Sequence, residues 1–122
     1  MHSVTSNAVN AAIATASNHK VDVYVRNETY EATSTGWKGM CFIFPKYGKY
    51  LAEIYRNLDR TTNIQVSDSD TLVNYQTIGS ANLRYAIIDV PTTGTREVRV
   101  ALSALANESY NITLKLTQLS HN

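Results

Sequence analysis

Histidine, cysteine, long apolar runs and an excess of either charge are all missing or scarce in this chain, and each scarcity removes a class of function. The three histidines, His2, His19 and His121, all sit near the ends of the 122 residues. A histidine general base, a Ser–His or Cys–His couple, or a histidine-ligated zinc in the body of the chain would need help from a terminus. The single cysteine, Cys41, excludes an internal disulfide framework. It lies in the apolar run Met40-Cys41-Phe42-Ile43-Phe44, with no neighbour in sequence to lower its pKa, and is expected to be a buried free thiol acting as a small hydrophobe. No apolar run approaches the roughly 20 residues that cross a bilayer as a helix, so no membrane insertion is expected. The N-terminus lacks a basic region followed by an apolar stretch, so no secretory signal is expected. Eleven Lys and Arg against ten Asp and Glu give a net charge of +1 without a basic cluster. Nucleic acid is therefore not an expected partner.

What remains is rich in β-branched and aromatic residues. Lys20 to Asn27 alternates, and Val21, Val23 and Val25 are read as the buried side, with Asp22, Tyr24 and Arg26 outward. Trp37 to Phe44 is apolar on both faces and predicts a central strand. Pro45 and Lys46-Tyr47-Gly48-Lys49 form a turn, and Tyr50 to Arg56 follows as its hairpin partner, with a helix as the alternative. Further strands are expected over 61–66, 71–78 and 83–90, then over 96–102 after a hairpin loop at 91–95. The last runs over 110–116, with Tyr110, Ile112, Leu114 and Leu116 inward. About eight strands with turn signals between them, and no strand–helix–strand rhythm, predict an all-β, antiparallel β-sandwich of jelly-roll type. It occupies residues 20–122, one domain with a modest core.

Residues 1–19 read differently. Ser3 to Asn18 (SVTSNAVNAAIATASN) is almost uncharged and alanine-rich, with Thr5 or Ser6 as N-cap. It predicts a short N-terminal α-helix whose stripe is Thr5, Val9, Ala12, Ile13 and Ala16. A helix this short is marginal alone in water, so the stripe must be buried. It lies either on its own domain or against other copies. Small and β-branched residues on a narrow seam suit close approach of several helices. Val4-Thr5-Ser6-Asn7-Ala8-Val9 with its alanine-rich continuation resembles the short helix that precedes a β-rich head in phage and prophage tail-fibre and receptor-binding proteins. The resemblance covers about a dozen residues. It implies a homotrimer with this helix as neck, a place in the virion, and a structural and adhesive role.

Candidate chemistry in the body is sparse. Glu28, Glu31, Glu53, Asp59, Asp68, Asp70, Asp89 and Glu97 supply carboxylates, and Glu53 and Asp89 lie inside strands, where a glycan-cleaving pair would be sought. Asp68-Ser69-Asp70 offers oxygens to a hard cation but lacks the glycine-containing loop of calcium sites and reads as a polar turn. No metal and no cofactor is expected. The aromatic group is the most suggestive. Trp37, Tyr47, Tyr50 and Tyr55, with Arg56, crowd one third of the chain. Flat rings stack on sugar faces while charged neighbours bond hydroxyls, so these five are the candidate contacts for a surface saccharide; core or subunit-interface packing is the alternative. The expected function is a non-enzymatic, trimeric adhesion head. The alternative is a monomeric carbohydrate-binding or interaction module of a larger secreted bacterial protein, which would be extracellular.

Overall fold

The computed structural model describes residues 21–68, 71–79, 83–92 and 94–120. The expected helix over 3–18, with Thr5, Val9, Ala12, Ile13 and Ala16, lies outside the described residues. So does Asp70.

Eight strands run in chain order: β1 (Val23–Glu31), β2 (Gly36–Ile43), β3 (Gly48–Arg56), β4 (Thr62–Asp68), β5 (Thr71–Gly79), β6 (Leu83–Val90), β7 (Val98–Ala104) and β8 (Ser109–Ser120). They form two four-stranded antiparallel sheets, β1-β8-β3-β6 and β2-β7-β4-β5. Every connection except β4–β5 passes from one sheet to the other, which is the double Greek-key winding of a jelly roll.

Alternation builds the core. Tyr110, Ile112, Leu114 and Leu116 of β8 are fully buried, as are Val98, Val100 and Leu102 of β7. Ile54, Ile64 and Ile88 fill the space between the sheets. Burying an aliphatic side chain of this size contributes roughly 1.5–3 kcal/mol against the entropy of ordering the chain.

Three local expectations are corrected. First, β1 faces the other way. Val21, Val23 and Val25 are exposed, while Tyr24 packs against the core. Register explains it, because Tyr24 pairs with buried Leu116 and Glu28 with buried Ile112. The inner side of this edge strand opens to water between β1 and β2. There Arg26 pairs with Glu28 at 2.6 Å and donates to the Phe42 carbonyl at 2.9 Å.

Second, β2 lies at a sheet edge, not at its centre. Its two-sided apolarity comes from a bulge at Cys41, across which the partner of Met40 is Val100 and the partner of Phe42 is Arg99. Cys41 has φ 57°, and the bulge lets Met40, Cys41 and Ile43 all point inward. Phe42 turns outward beneath the Arg99 guanidinium, 4.8 Å from its ring centroid.

Third, β3 is not the hairpin partner of β2. It crosses to the opposite sheet and sits between β8 and β6. The connection over 91–97 likewise bridges two sheets and is not a hairpin loop.

Candidate functional site

The winding gives the sandwich two unlike ends. The β1–β2, β3–β4 and β7–β8 connections share one end. The other end holds the β2–β3 and β6–β7 connections, together with Val21, where the described chain begins, and Ser120, where it stops.

The five aromatic-group candidates are not assembled into one platform. Tyr50 and Arg56 are fully buried. Tyr50 donates its hydroxyl to the Lys46 carbonyl at 2.8 Å, and burial pushes its phenol pKa up. Arg56 donates to the Arg60 carbonyl and the Thr62 hydroxyl, tying the β3–β4 turn from inside. Neither side chain is available to a surface ligand. Tyr47 lies in the β2–β3 connection at the end where the chain enters. Tyr55 stands on the outer face of the β1-β8-β3-β6 sheet. Trp37, at the start of β2, is 54% exposed and belongs to the far end.

That far end carries a second feature which sequence reasoning missed. A pocket of about 390 Å³ is lined by Glu31, Ala32, Thr33, Asn107, Glu108 and Ser109. It is held by backbone bonds between loops: Ala32 donates to the Glu108 carbonyl at 2.9 Å, and Asn107 to the Ala32 carbonyl at 2.7 Å. Asn107 has φ 67°, a conformation that asparagine tolerates better than most residues. Arg60, in the β3–β4 turn, donates to both carboxylate oxygens of Glu108, at 2.5 and 2.7 Å. That bond holds the Glu108 carboxyl below its ordinary range and raises the Arg60 guanidinium. The pocket wall thus carries backbone carbonyls and a carboxylate already paired with Arg60, acceptor oxygens whose remaining lone pairs suit hydroxyl donors. Its two lining segments, 31–33 and 107–109, are more than 70 positions apart, so no local pattern announces it.

The strand carboxylates are set apart. Glu53 lies opposite Lys115 on β8 and Tyr85 on β6, whereas Asp89 is opposite Lys49. Asp89 lies four residue steps from the Glu53 row, about 13 Å along β6 at the usual rise. Glycosidic pairs stand roughly 5–9.5 Å apart. Glu97 pairs with Arg99 at 3.2 Å, and Asp59 and Asp68 are exposed. Among the described residues no cluster of three or more His, Cys, Asp or Glu is placed to hold a metal ion, and no helix is long and apolar enough to cross a membrane.

The outer face of the β1-β8-β3-β6 sheet divides in two. Toward the pocket end it is polar: Asn27 donates to Thr113 at 2.8 Å, and Asn111 donates to Thr29 at 3.0 Å. Toward the chain-entry end exposed apolar side chains stand on either side of a polar and charged centre. Register lays Val23, Thr117, Leu51 and Ile87 in one row, and Val25, Lys115, Glu53 and Tyr85 in the next. No family model matches the chain, and no curated protein matches it.

Proposed function

We propose that the chain is the receptor-binding or structural head of a phage or prophage tail fibre, trimeric through its N-terminal stretch, with a host surface saccharide as ligand. The observation that carries this reading is an arrangement of ends. The Val4–Val9 segment, which resembles the neck helix of such fibres, leads into the sandwich at Val21. Exposed Trp37 and the acceptor-lined pocket lie at the opposite end, where a head held by its neck would meet a surface. An indole face and a few hydroxyl partners make a weak single site. Three copies on one axis would raise its avidity by orders of magnitude.

The test has two parts. Light scattering on the whole chain and on a version starting at Val21 reads the assembly, with a trimer expected for the whole chain and dissociation on truncation. The trimer is then screened against bacterial surface polysaccharides. Binding is expected, and Trp37→Ala should lose at least about ten-fold of it. A chain that is monomeric yet binds glycans favours the single-module alternative. A trimer that binds no surface polysaccharide sinks the adhesive half.

A further inference from the structure

Four side chains on the polar half of the outer β1-β8-β3-β6 face form a closed hydrogen-bond array. Asn27 on β1 and Asn111 on β8 exchange amide bonds, Nδ2 to Oδ1, at 3.0 and 3.1 Å. Each amide gives its second N–H to a threonine, Asn27 to Thr113 at 2.8 Å and Asn111 to Thr29 at 3.0 Å. Both N–H groups of each amide are thereby used. The hydroxyl protons are not. Each threonine oxygen accepts an amide proton and so turns its own O–H elsewhere, and among the described residues neither O–H finds an acceptor. Each asparagine carbonyl also keeps a second lone pair.

Register places this array beside an exposed ring. Asn27, Thr113 and Tyr55 lie in one row across β1, β8 and β3, and Thr29 and Asn111 lie in the next. Tyr55 is 47% exposed and stands one strand from Thr113, about 5 Å at the usual spacing. The Asn111 amide donates to Asn57 Oδ1 at 2.8 Å, which braces the array from the end of β3. Beyond it Glu31 and Ser109 pair in register, and both also line the pocket. Face and pocket are therefore one continuous surface. From the Thr113 row to the Ser109 row is four residue steps, about 13 Å.

We infer that this surface is a saccharide-binding face for an uncharged oligosaccharide, with Tyr55 stacked on a sugar ring and the Thr29 and Thr113 hydroxyls bonded to its oxygens. A flat ring covers the apolar side of a sugar, and hydroxyl donors beside carbonyl acceptors match its alternating O–H groups. The amide pair fixes those groups before the ligand arrives, so little side-chain freedom is lost on binding. The array carries no formal charge, and the Glu31 carboxylate at its end opposes an acidic chain. The length of the surface suits several linked sugars. The inference rests on the saccharide part of the proposed function, not on the trimer, and names the surface and the class of sugar.

The whole chain is titrated with neutral and with acidic bacterial surface polysaccharides, at low and high salt. Tyr55→Ala removes the ring and Tyr55→Phe keeps it. Thr29→Val and Thr113→Val keep the β-branched shape and remove the hydroxyl. Thr117→Val, on the same side of β8 but outside the array, is the control. Circular dichroism confirms the fold of each variant.

Neutral polysaccharide is expected to bind with little dependence on salt. Tyr55→Ala should lose about ten-fold or more, each array threonine variant about three-fold or more, and Tyr55→Phe and Thr117→Val almost nothing. Neutral binding that Trp37→Ala weakens, but that Tyr55→Ala and both array threonine variants leave intact, overturns the inference and leaves the proposed function standing. Binding to acidic polysaccharide alone, lost in salt, overturns the inference in the same way. A wild type that binds no polysaccharide overturns both.

Discussion

Tyr24 and Tyr50 hold the same residue, Lys46, from two strands. Their rings meet edge to face, centroids 6.1 Å apart at 62°. Tyr24 accepts a hydrogen bond from the Lys46 amide at 3.2 Å, and Tyr50 donates to the Lys46 carbonyl at 2.8 Å. Tyrosines of β1 and β3, flanking β8, thereby pin the connection from β2. This contact also sets the parity of β1, because turning Tyr24 inward turns the valines out.

Tyr50→Phe should therefore cost about 1 kcal/mol in urea unfolding, since the ring stays but one buried hydrogen bond is lost. Tyr24→Phe should cost no more, and the double variant less than the sum, because both bonds fix one residue, Lys46. Alkaline pH gives Tyr50 a second readout. Burial raises the Tyr50 phenol in the folded chain. Its contribution is complete below the ordinary tyrosine value near 10 and is lost as pH rises toward the higher folded value. Wild type should lose stability above about pH 10 more steeply than Tyr50→Phe; parallel curves would exclude burial of this hydroxyl as the cause.

Cys41 combines a bulge, a positive φ and a bond from its thiol to the Ile112 carbonyl at 3.1 Å. Burial pushes its pKa up to about 12. A maleimide at neutral pH should leave it unmodified in the folded protein and label it fully in denaturant. Cys41→Val should destabilise by about 2 kcal/mol or more, because a β-branched residue fits poorly at positive φ. Cys41→Ser should be milder, since a hydroxyl can keep the bond to Ile112. Thermal melts of the two variants decide the order.

How far the sequence discloses this depends on where a strand sits. β7 and β8 lie inside their sheets with one face on the core, and their alternation reads correctly down to single residues such as Val98, Val100, Ile112 and Leu114. β1 and β2 lie at edges, and there the rule fails in two ways. At β1 the inner face carries Arg26 and Glu28 because the sandwich is open to water beside them. Valine then looks like the inward residue when it is not. At β2 one extra residue, Cys41, makes the strand look covered on both sides. Hairpin pairing misled for another reason. In a jelly roll, chain neighbours usually belong to different sheets, and no local pattern distinguishes a turn from a crossing. Of the candidate contacts, Trp37, Tyr47 and Tyr55 are exposed, as a binding role requires. Tyr50 and Arg56 are not, because an aromatic ring or an arginine serves equally well as a buried brace.

Gly48, where β3 begins, has φ 146°, and a Cβ placed there would lie 2.5 Å from the Ser120 carbonyl oxygen. Strand β8 passes too close for any side chain. Gly36 has nearly the same φ, 145°, but a Cβ there would meet nothing within 4 Å. The two glycines make a matched pair. Gly48→Ala should cost about 3 kcal/mol, from backbone strain and from displacing β8, while Gly36→Ala should cost about 1 kcal/mol from backbone alone. Equal losses in chemical denaturation would show that the approach of Ser120 is not what requires glycine.

The Arg60–Glu108 pair at the pocket gives the protein an acid limb. Arg60 holds Glu108 below its ordinary carboxyl range in the folded chain. A depressed folded pKa contributes stability above the unfolded value, near 4.3, and that contribution disappears as pH falls through the lower folded value. Glu108→Gln should therefore melt below wild type at pH 7, and the two curves should converge as pH drops below the unfolded value near 4.3. Both side chains are partly exposed, so added salt should narrow the gap at neutral pH as well. The pocket supplies a second readout. Glu108 contributes backbone as well as carboxylate to its wall, and the amide keeps the backbone bond from Ala32. If saccharide hydroxyls bond the Glu108 carboxylate, Glu108→Gln weakens glycan binding at pH 7 without loss of fold, and wild-type binding falls on the same acid limb as its stability. Binding that is indifferent to both would place the ligand on Trp37 away from the pocket.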